Sequence, residues 1–96
     1  MIRIYSVIFS PKARRDALAL MELIAEDRGP VVALNYIERL EACCMSLRTF
    51  PQRGHMDAIS SPGLRTIGFE RRVTIHFRIS GDQVIIARLL YAGRQP

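Results

Sequence analysis

From residue 3 to residue 9 the chain alternates, with Tyr5, Val7 and Phe9 on one face of an extended segment and Ile4, Ser6 and Ile8 on the other. Both faces are largely apolar, which predicts a strand well inside a sheet. Ser10 and Pro11 then open a helix, the serine as N-cap and the proline in the first turn, where its missing N–H costs nothing. Ala13, Ala17, Leu20, Met21 and Ile24 recur at helical spacing and form one apolar stripe. Lys12, Arg14, Arg15 and Asp16 fall outside it and are expected in solvent.

Gly29-Pro30 ends the first helix and starts a second, giving a short antiparallel hairpin of helices. Between residues 31 and 50, Ala33, Tyr36, Ile37, Leu40, Cys44, Leu47 and Phe50 keep helical spacing, and Pro51 closes the run. Residues 52–63 hold no period and read as an irregular loop ending in a Pro62-Gly63 turn. Three strands follow. In the middle one Val73, Ile75, Phe77 and Ile79 share a face, and Arg72, Thr74, His76 and Arg78 share the other. Ser80-Gly81-Asp82 is a hairpin turn, and the final strand is apolar on both faces apart from Arg88, which places it centrally. The expected fold is α+β in the order β-α-α-β-β-β: an antiparallel sheet covered on one face by the helical hairpin, with the Arg72/His76/Arg78 face left as a basic concavity.

Composition changes this picture in one respect. Ninety-six residues with 49% hydrophobic content make a single domain, residues 1–96, without a run of transmembrane length or a signal peptide, so a cytoplasmic protein away from membranes is expected. The net charge of +5, however, calls for an anionic partner. Lys12 is the sole lysine. That bias reads either as planar, bidentate recognition of phosphate or carboxylate or as codon usage, and the excess of positive charge stands in both cases. The adjacent Cys43 and Cys44 have neither zinc-site nor CxxC spacing, so they are expected as buried thiols in a reducing compartment. There is no phosphate loop, no metal-ligand spacing and no Ser-His-Asp set; no metal or cofactor is expected.

The ordered wording of the chain resembles the RelE/ParE superfamily of type II toxin–antitoxin toxins, on the ParE-like side. The residues that carry the likeness are Phe9-Ser10-Pro11-Lys12-Ala13-Arg14, Gly29-Pro30, Leu47-Arg48-Thr49-Phe50-Pro51, Pro62-Gly63-Leu64-Arg65 and the stretch from Val84 through Tyr91-Ala92-Gly93-Arg94. The resemblance implies a toxin held in a hetero-oligomeric complex by a ParD-like antitoxin, whose acidic C-terminal segment folds over the toxin. It leaves two targets. ParE-like members poison DNA gyrase without catalysis, whereas RelE-like members cut mRNA on the ribosome.

RNA transesterification needs an activated 2′-hydroxyl, a stabilised phosphorane and a protonated leaving oxygen. Arg72, Arg88 and Tyr91 are the residues that would serve as the catalytic set of a ribonuclease. Yet Tyr91 is followed by Ala92-Gly93, with no His-Tyr pair, and only two residues remain after Arg94. The expectation is therefore a gripping surface rather than a catalytic one. Arg65, Arg72, His76, Arg78, Arg88 and Arg94 are its candidate partner-binding residues. Gyrase is the expected target, and the ribosome with its mRNA the alternative.

Overall fold

In the computed structural model, which describes residues 3–56 and 62–92, β1 (Ser6–Phe9) leads into α1 (Pro11–Arg28) and α2 (Pro30–Met45). A single 3-10 turn, Ser46–Arg48, follows. The chain then forms β2 (His55–Met56), β3 (Leu64–Phe69), β4 (Val73–Ser80) and β5 (Gln83–Tyr91). The sheet order is β1-β5-β4-β3-β2, with the helical hairpin on one face. The expected part of the loop at residues 57–61, and Arg94, lie outside the described residues.

The helix boundaries follow the capping chemistry. Ser10 Oγ accepts the Ala13 N–H at 3.0 Å and donates to the Ala87 carbonyl at 2.8 Å, tying the start of α1 to β5. Gly29, at φ +92°, ends α1 with its N–H on the Ala25 carbonyl, and Pro30 begins α2. The second helix stops earlier than its periodicity suggests. Ser46 Oγ bonds the Cys43 carbonyl and the last turn tightens to 3-10, which leaves Leu47 buried but rotates Phe50 outward to 65% exposure.

The sheet departs from the expectation at both margins. β1 is an edge strand, not an interior one, and it runs parallel to β5 with Ser6 opposite Gln83 and Phe9 opposite Ile86. The sheet is therefore mixed. Ile4 (68% exposed) and Ile8 are the apolar residues that made β1 look interior. At the other margin, a stretch expected to be irregular contributes β2, where His55 opposes Thr66 and Met56 opposes Arg65. Gly54 makes this possible: at φ +86° it lies so close to β3 that a Cβ would overlap the Thr66 carbonyl and Ile67 Cγ2.

Val73, Ile75 and Phe77 of β4 and Val84, Ile86 and Leu89 of β5 meet Leu20, Ile37, Leu40 and Cys44 in one core. Each such side chain withdrawn from water contributes about 1.5–3 kcal/mol, and this burial orients the sheet. Both cysteines are free, and burial pushes the Cys44 thiol up to about 12, which makes it a packing group. Among the described residues no helix is long and apolar enough to cross a membrane.

Candidate partner-binding surfaces

Cross-strand register assigns Arg65, His76, Arg78 and Arg88 to the faces of the sheet. The rows Thr66-His76-Arg88 and Leu64-Arg78-Ile85 run across β3, β4 and β5 on the side away from the helices. This is the open basic face foreseen from the alternation of β4. Arg78 is exposed there, with Nη1 3.4 Å from the Pro62 carbonyl. His76 is half-buried, and burial together with the neighbouring Arg88 guanidinium pushes its pKa below the ordinary histidine value, against an opposing pull from Asp16.

Two of the candidates are placed elsewhere, and a third is engaged. Arg65 opposes Phe77, so it lies on the helix side of the sheet with Ile67 and Phe69. Arg72 precedes β4 and stands in the β3–β4 turn, where its carbonyl accepts the Ala92 N–H at 2.7 Å. Its side chain lines a groove of about 610 Å³ with Tyr36, Tyr91 and the ends of the two helices.

Arg88 is the third. β5 carries an extra residue, Ala87, between the pairs His76–Arg88 and Phe77–Ile86. Such a bulge re-aims the side chains beside it. The Arg88 guanidinium forms a two-pronged ion pair with Asp16 of α1, Nε to Oδ2 at 2.8 Å and Nη2 to Oδ1 at 3.0 Å. Oδ2 also accepts the Leu89 N–H at 2.9 Å. Burial alone would raise the Asp16 pKa, but the bonds from Arg88 and Leu89 outweigh it and hold the carboxyl below its ordinary value. Asp16, expected in solvent, is thus a structural tie between α1 and the sheet. No period or motif marks it, because the contact spans 72 positions in sequence.

Tyr91 opposes Val73 on the helix side and lines both the Arg72 groove and a second one of about 500 Å³ beside α1. The structure therefore brings Arg72 and Tyr91 to one groove, while the Arg88 guanidinium is engaged by Asp16 in the next. Tyr36 packs edge-on against Phe69, ring centroids 5.4 Å apart. Its buried hydroxyl has no hydrogen-bond partner among the described residues. Among these residues, too, no three His, Cys, Asp or Glu side chains form a metal-holding group.

Residues 7–96 match the family model described as the ParE toxin of the type II toxin–antitoxin system parDE. The chain belongs to the ParE toxin family. This ParE-family chain also shares its fold with solved structures. One is a chain of a chromosomal ParDE toxin–antitoxin system from P. aeruginosa, with a TM-score of 0.82 at 24% identity over 93% of this chain and 97% of that one. Another belongs to the RelBE2 toxin–antitoxin complex from Mycobacterium tuberculosis, with a TM-score of 0.66 at 22% identity over 92% and 98%. YafQ from E. coli gives a TM-score of 0.53 at 15% identity over 93% and 94%. A comparison with curated proteins finds no match.

Proposed function

We propose that this ParE-family toxin acts by binding DNA gyrase rather than by cutting RNA, and that a ParD-like antitoxin neutralises it. The engagement of Arg88 carries the reading. Of the three residues that a ribonuclease would draw on, one has its guanidinium edge occupied by Asp16, and the other two share a groove whose lining holds no histidine among the described residues. With Arg88 engaged, Arg72 and Tyr91 lack the third member of the set that would stabilise the phosphorane, which favours gripping over cleavage. The open face, with Arg78 exposed and His76 beside it, suits the acidic segment of an antitoxin, which folds as it binds.

Purified toxin in excess is expected to block gyrase supercoiling and to raise gyrase-dependent DNA cleavage. Unchanged gyrase activity would end the proposal. Ribosome-dependent transcript cleavage that disappears with Tyr91→Phe or Arg72→Ala would install the ribonuclease in its place.

A further inference from the structure

β1 pairs with β5 only as far as Phe9 opposite Ile86, because Ser10-Pro11 turns the chain into α1. From Ala87 onward the outer edge of β5 has no strand beside it among the described residues. Ser10 covers the Ile86 and Ala87 carbonyls, and Asp16 takes the Leu89 N–H. In an antiparallel ladder, the N–H and C=O of one residue point to the same side and recur at every second residue. Since the Leu89 N–H points outward, so do the Leu89 carbonyl and the Tyr91 N–H. Neither has a partner among the described residues.

A groove of about 500 Å³ runs along this edge, lined on the helix side by Leu20 and Leu23, with Glu22 and Glu26 of α1 at its rim, and by Leu90 on the open side. The Asp16 and Arg88 charges at one end cancel each other. The rim is therefore locally acidic in a chain whose net charge is +5. An acidic segment, the kind suited to the open face, is repelled here. An unpaired sheet edge with an apolar lining and an acidic rim is complementary to one kind of ligand.

We infer that the outer edge of β5 at Leu89–Tyr91 is a strand-addition site for an extended protein segment that alternates apolar and basic residues. The segment's backbone bonds the Leu89 carbonyl and the Tyr91 N–H. Its apolar side chains lie beside Leu90 on the open side of the sheet, and its basic ones cross Leu20 and Leu23 on the helix side to reach Glu22 and Glu26. The site lies along the outer edge of β5, away from Arg78, and does not depend on gyrase being the target.

The probe is an end-capped octapeptide of alternating valine and lysine, titrated into the full-length chain and followed by amide NMR. It is expected to slow hydrogen exchange at the Tyr91 amide by about tenfold or more at saturation, because a paired amide must open before it exchanges. The valine–glutamate analogue is expected to leave that amide unprotected. The Glu22→Lys/Glu26→Lys variant, altered only at exposed positions, is expected to reverse this preference. An unprotected Tyr91 amide, equal binding of both peptides, or no change of preference in the variant would each overturn the inference.

Discussion

Glu70 and Arg71 sit at φ +47° and +62°, the left-handed region that non-glycine residues avoid. The turn they form closes with the Arg72 N–H on the Phe69 carbonyl at 3.1 Å. It is a mirror-image turn of the kind that suits the twist of a hairpin and that Asn-Gly ordinarily supplies. Neighbouring contacts hold it in place. Arg39 of α2 grips Glu70 with Nε at 2.8 Å from Oε2 and Nη2 at 3.1 Å from Oε1, and its guanidinium lies 5.4 Å from the Tyr36 ring centroid. Arg71→Gly removes the backbone conflict without touching that pair and is expected to raise unfolding stability by about 1 kcal/mol. Glu70→Gly gives up the Arg39 contact and is expected to gain less. Urea titrations of both variants test this, and a destabilised Arg71→Gly would refute the strain.

At the scale of elements, the tie between α1 and β5 decides how the helix lies on the sheet. Asp16 satisfies two partners at once, the Arg88 guanidinium and the Leu89 N–H. Asp16→Ala leaves both without it and is expected to cost about 2–3 kcal/mol, whereas Arg88→Ala keeps the Leu89 bond and costs less. Equal losses in the two variants, by urea titration, would mean that the backbone bond contributes nothing. The sequence hid this tie. Asp16 reads as one more solvated charge at the start of a helix, and Ala87 reads as one more apolar strand residue. Only the bulge shows that the alternation of β5 breaks there. The open face on β4 was legible because it needs nothing beyond strand alternation: Val73, Ile75 and Phe77 inward, Thr74, His76 and Arg78 outward. Arg65 was not, because its face depends on its register with Phe77, which is a pairing rather than a pattern.

For the whole molecule, two shifted groups set the response to acid. His76 has a folded-state pKa below its ordinary 6.5, so the unfolded chain takes up that proton first. Its contribution is present above about pH 6.5 and is lost as the pH falls from there through the folded-state value. Asp16 is held below its ordinary 3.8, so its contribution is present above that value and is lost as the pH falls through its folded-state value. Thermal midpoints are expected to fall in two stages on acidification. His76→Gln should flatten the upper stage and Asp16→Asn the lower. An unaltered upper stage in His76→Gln would show that the histidine is not its source.

Local chemistry was enough for the helical hairpin, the three-strand meander, the α+β class and the family wording. Those features rest on capping at Ser10 and Gly29, on periods of 3.6 and 2, and on turn residues such as Gly81, all of which act within a few positions. The tertiary structure decided what depends on distant partners. It placed β1 at the edge and parallel to β5, added β2 through Gly54, divided the arginines between an open face and a groove, and spent Arg88 on Asp16. The physical reason is the same in each case: a strand's neighbours and a charge's partner are chosen by packing between separate elements, 72 positions apart for Arg88 and Asp16, and no local period encodes that choice.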